Sequence, residues 1–176
     1  MAGEETAANL TAVQQVESML APMQSFLEKA LRLAHLKMSV QVRPARPGEY
    51  APDTPLYVVE ISGPDADVVL DSHAAMLDAL EHVARRVVRM DETLHPLVAF
   101  DCHQYRLSRL DELKLTAQIA ADQVRERGEP FALGRMNSRE RRVVHLTLHG
   151  QQGIRTESQG EGLDRHLVIF PDSKAR

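Results

Sequence analysis

Cysteine is almost absent from this chain. Its one cysteine, Cys102, among 176 residues leaves no partner for an intrachain disulfide and no thiolate framework for a structural metal. That usage suits a reducing compartment, so the chain is expected to be cytoplasmic. Tryptophan is missing and aromatic residues make up only 4%, so a binding mode that stacks several bases on rings has few side chains to work with. Any nucleic-acid contact would have to rest on charge and hydrogen bonding. No apolar run approaches the roughly 20 residues of a membrane span. The opening Met1-Ala2-Gly3-Glu4-Glu5 is acidic and lacks the basic-then-apolar layout of a signal peptide, so no membrane insertion is expected. A glycine-rich strand-to-helix turn is also missing, which argues against phosphate-loop and dinucleotide chemistry.

What is present is ordinary in amount and uneven in placement. The chain is 43% hydrophobic and 26% charged, with a net charge of -4, enough to build a core. Up to His95 there are 8 Lys and Arg against 14 Asp and Glu, and from Pro96 onward 13 against 11. The first half is therefore at -6 and the second at +2. Between Arg135 and Arg142 four arginines face one glutamate, so anion binding, if any, belongs to the second half.

Val13, Val16 and Leu20 repeat at helical spacing, and Pro22 fits best at the first turn of a new helix. That helix is expected over 22–35, with Met23, Phe26, Leu27, Ala30, Leu31 and Ala34 on its apolar face. Strands are expected over 38–43 and 56–61, separated by a loop over 44–55 with four prolines. A short helix over 65–70 is interrupted by Asp71-Ser72-His73-Ala74 before a longer one. In that longer helix Leu77, Leu80, Val83, Ala84 and Val87 form the face expected to pack, and Arg85, Arg86 and Arg89 gather at its end, where cations favour the helix dipole. A strand over 96–102 follows. A helix opening at Ser108, with Leu110, Leu113, Ala117, Ala120, Ala121 and Val124 on one side, should stop at Gly128. Further strands are expected over 131–136, 154–158 and 166–170.

The stretch Ser138 to His149 carries the chemistry. Read as a helix, it gathers Ser138, Arg141, Arg142, His145 and His149 within a stripe of roughly 100°, while Val143, Val144, Leu146, Thr147 and Leu148 take the remaining arc, the face expected to pack. Asn137 followed three residues on by Glu140 has the form of a capping box, which places Arg141 and His145 one turn apart near the positive end of the helix. A solvated face is the plain alternative for such a stripe. Catalytic readings fail on the residues. His145 and His149 have Leu146 where a zinc-protease helix needs glutamate and have no third ligand. Cys102 and His103 point to opposite faces of a strand, so Cys102 is expected to be a small core residue. No metal, cofactor or enzymatic activity is expected.

Two successive patterns resemble known families. The order helix, strand, strand, short helix, loop, long helix, strand from Met23 to His103 resembles a type II KH domain. The run Leu133-Gly134-Arg135-Met136, then Glu140-Arg141-Arg142-Val143-Val144-His145, then Thr156-Glu157-Ser158-Gln159-Gly160-Glu161-Gly162, then Arg165 to Pro171 resembles an R-three-H domain, named for its Arg-xxx-His. The tandem is similar to the bacterial Jag (SpoIIIJ-associated, also called KhpB) family of RNA-binding proteins. The resemblance implies an α+β protein: a helical extension over 1–21, a type II KH domain over 22–103 (a three-stranded sheet with helices on one face), an R-three-H domain over 104–171 (a three-stranded sheet packed with two helices), and a tail over 172–176. The extra N-terminal Jag domain that family members often carry is expected to be missing.

A KH domain grips nucleic-acid backbone at a Gly-x-x-Gly loop. Here that loop falls on Asp71, Ser72, His73 and Ala74, without either glycine and with an acidic residue in place. Weak RNA binding or none is expected from it, with Asp71 or Ser72 capping the next helix instead. The resemblance implies a single-stranded RNA (or DNA) binder working through Arg141 and His145. Arg142, Arg139 and Arg135 would extend the track, Ser138 would supply a neutral hydrogen bond, and Arg106 and Arg109 would border it. Arg155 and Arg165 are expected to pair with Glu157, Glu161 or Asp164 and stabilise the sheet. The alternative is an adapter whose KH half docks a second copy of the chain or a small single-KH protein.

Overall fold

The structure, a computed structural model, describes residues 2–51 and 53–172; the expected tail beyond residue 172, and Met1 of the expected extension, lie outside the described residues. The chain divides into two units, Met1–Leu107 and Ser108–Arg176, four residues later than the boundary expected at 103/104. The α+β class with two three-stranded sheets is found.

In the first unit helix α1 (Ala2–Leu33) is followed by strands β1 (Ser39–Pro44) and β2 (Tyr57–Ser62), the interrupted helix α2 (Ala66–Val87), a 3-10 turn (Glu92–Leu97) and strand β3 (Val98–Cys102). β1 pairs antiparallel with β2, and β2 pairs parallel with β3. Alternation sends Val59 and Ile61 of β2 and Val98, Phe100 and Cys102 of β3 to the face covered by both helices. There they share one core with Val16, Met23, Leu27 and Leu31 of α1 and with Val69, Leu77 and Ala84 of α2. After β2 the chain turns at Gly63, where a Cβ would stand 2.3 Å from the Lys37 carbonyl oxygen. Only glycine allows the start of β1 to pass so close.

Three expectations change here. Pro22 does not begin a helix; α1 runs through it. Its missing N–H frees the Ser18 carbonyl, but both residues are exposed, so water can satisfy that carbonyl while Val16 and Met23 stay buried on the same face. Residues 2–21 are accordingly part of one helix with 22–33 rather than a separate extension. On α2, Val83 and Val87 are exposed, because the helix buries a narrower stripe running through Leu77 and Ala84. The strand expected from Pro96 starts at Val98, since Pro96 belongs to the 3-10 turn.

Cys102 is fully buried, and burial, aided by the neighbouring Asp101 carboxylate, pushes its thiol up to about 11. On the opposite face of β3 Asp101 is itself buried. It accepts from the Tyr50 hydroxyl at 2.8 Å and from the backbone N–H groups of Cys102, Arg106 and Leu107. One carboxylate thus ties the proline-rich loop to β3 and to the first turn of the next helix.

The second unit takes in α3 (Tyr105–Arg127) from Ser108 onward, then β4 (Phe131–Arg135), α4 (Ser138–Leu148), β5 (Ile154–Gln159), a 3-10 turn (Gly162–Asp164) and β6 (His166–Pro171). Its sheet has the order β4-β6-β5, antiparallel throughout. All six apolar residues expected on the inner side of α3 are buried. The helix ends where Gly128, at φ +70°, donates to the Val124 carbonyl. Val144 and Leu148 of α4 and Ile154, Leu167 and Ile169 of the sheet complete this core.

Candidate nucleic-acid interface

Helix α4 begins as its sequence requires. Asn137 accepts from the Glu140 N–H at 2.9 Å, and Glu140 accepts from the Asn137 N–H at 2.8 Å, closing the capping box. With the start so defined, Val143, Val144 and Leu148 turn inward, and Arg141 and His145 are carried on the outward side one turn apart. Leu146, expected to pack, is exposed, because it lies about 40° around the helix from Arg142, at the edge of the outward stripe.

Their side chains are held by neutral oxygens. Arg141 donates through Nη1 to the Met136 carbonyl at 2.7 Å and through Nη2 to Ser138 Oγ at 3.0 Å. Ser138 therefore orients the arginine rather than standing free at the helix start. The exposed His145 ring has its Nδ1 2.6 Å from Thr156 Oγ1 on β5, and Nε2 makes no hydrogen bond among the described residues. His149, one turn further on, meets the His145 ring edge-on at 6.0 Å. Arg142 is exposed and has no hydrogen bond or ion pair among the described residues.

The other expected contributors fall elsewhere. Arg106 is bound by Asp78 and Glu81 within the first unit. Burial alone would lower its pKa, but the two carboxylates outweigh burial and raise it, so its charge is retained and neutralised. Arg109 is likewise lowered by burial and raised overall by Glu112 and Glu140, which it meets at 2.8 and 3.0 Å. It braces the capping glutamate. Arg135 pairs with Asp164 at 3.0 Å. Arg139 is half-buried and lies about 160° around the helix from Arg141, away from the outward stripe. Of the eight residues expected at the interface, the structure brings together Arg141, His145, Ser138 and Arg142.

The structure also places Thr156, Ser158 and Arg165, none of them an expected interface residue, in the chain of hydrogen bonds around Arg141 and His145. Ile154, Thr156 and Ser158 alternate onto one side of β5, the side that meets α4, and that alternation was the available signal. Arg155 behaves as expected, paired with Glu157 at 3.0 Å and stacked over Phe170 at 4.3 Å. Arg165 does not: it donates through Nε to Ser158 Oγ at 3.2 Å.

The loop in α2 breaks the helix where the sequence indicated, with Asp71 extended (φ -58°, ψ 156°) and Ser72, His73 and Ala74 all left-handed at φ 51°, 60° and 59°. The expected cap is not formed. Ser72 Oγ turns to Asp71 Oδ2 at 3.3 Å, because three left-handed residues carry both side chains away from the amides of the following turn. Among the described residues no group of three His, Cys, Asp or Glu is placed to hold a metal, and no helix is long and apolar enough to cross a membrane.

An antiparallel three-stranded sheet packed with two helices, presenting arginine and histidine four residues apart on the second, defines an R-three-H domain, and residues 111–171 match the R-three-H domain family model. The chain is similar to RNA-binding protein KhpB of Bacillus subtilis (strain 168), at 35% identity over 111 residues, covering 62% of this chain and 53% of that protein. It is also similar to RNA-binding protein KhpB of Clostridium symbiosum, at 26% over 144 residues, covering 82% and 62%. The chain spans less than two thirds of the length of these relatives.

Proposed function

We propose that this chain is a non-catalytic, cytoplasmic protein that binds single-stranded RNA through Arg141, His145 and Arg142 of its R-three-H domain. The observation that carries this reading is the contrast among the arginines. Arg106, Arg109, Arg135 and Arg155 are each taken up by carboxylates, whereas Arg141 is oriented only by a carbonyl and a hydroxyl. A guanidinium fixed in direction but not neutralised is what a phosphate group needs. The names of the KhpB relatives support RNA as the ligand. Contacts to phosphate do not read sequence, so sequence preference should be slight.

The first unit has the strand pairing and interrupted helix expected of a KH domain, and its loop offers a carboxylate where phosphate would approach. In this proposal it adds little to RNA affinity. An adapter role is the lesser reading, favoured by one feature: Val83 and Val87, one turn apart on α2, are both exposed. Fluorescence anisotropy with a labelled single-stranded oligouridylate, at low and physiological salt, tests the main reading. Arg141→Ala should weaken binding roughly tenfold and reduce the slope of log affinity against log salt by about 0.7. Undiminished binding by that variant, or none by the folded wild type, would refute it.

A further inference from the structure

We propose that Arg165 is a second phosphate contact of this interface, so that a bound strand runs from the start of α4 to the β5–β6 end of the sheet. The inference rests on the RNA-binding reading above and extends it to a residue outside the Arg-xxx-His motif.

The geometry closes a ring. Arg141 Nη1 donates to the Met136 carbonyl, and the Met136 N–H donates to the Arg165 carbonyl at 3.2 Å. Arg165 Nε donates to Ser158 Oγ at 3.2 Å. Ser158 stands two residues from Thr156 on the same side of β5, and Thr156 holds His145, one turn from Arg141. Arg141 and Arg165 therefore grip the same residue, Met136, from its two polar ends, one by side chain and the other by backbone.

Arg165 is held as Arg141 is, by a neutral oxygen, leaving both of its Nη groups without a hydrogen bond or ion pair among the described residues. The three acids expected to pair with it do not claim it: among the described residues no ion pair joins it to Glu161, and the other two are taken up elsewhere. Asp164 takes Arg135, and Glu157 takes Arg155. The β5–β6 connection is built to bring it there: Gly160 sits at φ +83°, and a Cβ on it would stand 2.8 Å from the Asp164 carbonyl oxygen and 3.3 Å from Arg165 Cα. Such a tight return sets the Arg165 backbone beside Met136 and its guanidinium beside Ser158. Thr156 and Ser158 are separated by about 6.8 Å of antiparallel strand, comparable with the step between successive phosphates of an extended single strand.

The test uses the full chain and the same labelled oligouridylate across a salt series, with Arg165→Gln as the principal variant, because its amide can still reach Ser158 without the charge. The expected result is roughly tenfold weaker binding and a salt slope smaller by about 0.7. Thermal melting should be unchanged, and Arg155→Ala, on the other side of the sheet, should keep the wild-type slope. Arg165→Lys should keep the slope while losing part of the affinity. An unchanged slope in Arg165→Gln, in a chain that binds and loses binding on Arg141→Ala, would overturn this inference and leave the main reading standing. No binding by the wild type would overturn both.

Discussion

Replacing Ser72 and His73 together by glycine should stabilise the first unit. Both are exposed and sit at φ 51° and 60°, where an L side chain crowds its own backbone at a cost of roughly 1–2 kcal/mol per residue. Glycine removes that cost but loses about 0.5–1 kcal/mol through the greater freedom of the unfolded chain. The net gain is about 0.5–1 kcal/mol per position, or roughly 1–2 kcal/mol for the pair. Among the described residues, the one side-chain bond given up is the exposed one from Ser72 to Asp71. Neighbouring positions supply internal controls. Asp71 has ordinary extended dihedrals, so Asp71→Gly relieves nothing and should be neutral or destabilising. Ala74 is left-handed but buried, 3% exposed, so Ala74→Gly exchanges strain relief for a lost methyl contact of about 0.8 kcal/mol and should come out near zero. Urea unfolding followed by far-UV circular dichroism would rank the four. A double variant that unfolds at the same or lower urea than wild type would refute the strain argument. Its RNA affinity should not change, because the Asp71 carboxylate still occupies the loop.

Two further perturbations follow from the first unit. Asp101→Ala removes the acceptor that the buried Tyr50 hydroxyl and the part-buried Arg106 N–H share, and should cost roughly 3 kcal/mol or more in urea unfolding; a loss below about 1 kcal/mol would mean that water replaces the carboxylate. Glu49 is held below the usual carboxylate range first by its hydrogen bonds with Arg43, against burial that would raise it. Its folded form binds a proton less readily than its unfolded form, so its stabilisation is present above the ordinary glutamate value of about 4.3 and is lost as pH falls through the lowered folded value. Glu49→Gln should flatten that acid limb in a series of urea midpoints against pH, and an unaltered limb would refute the assignment.

The sequence by itself determined whatever local geometry dictates. The six buried residues of α3 repeat at the helical period, the capping box of α4 needs only Asn137 and Glu140, and the break in α2 shows as a disrupted pattern at Asp71 to Ala74. Each of these rests on residues within a few turns of one another. The order of elements and the outward placement of Arg141 and His145 followed from such signals, whereas the assembly of the strands into two three-stranded sheets was implied only by the family resemblance. Tertiary structure alone decided which arginines stay available. Arg106 meets Glu81 from 25 residues away and Arg109 meets Glu140 from 31, and nothing in the spacing of either marks it as spoken for. Charge density along the chain therefore did not show that Arg106, Arg109 and Arg135 are paired with carboxylates. For the same reason it did not show that Asp164 and Glu157, both expected as partners of Arg165 or Arg155, go to Arg135 and Arg155. Pro22 and the pair Val83 and Val87 were also settled by packing, since the rest of the core determines which side of a helix is covered. Periodicity is written in neighbouring residues, whereas the partner of a charge is chosen by whichever distant residues the folded chain brings within reach.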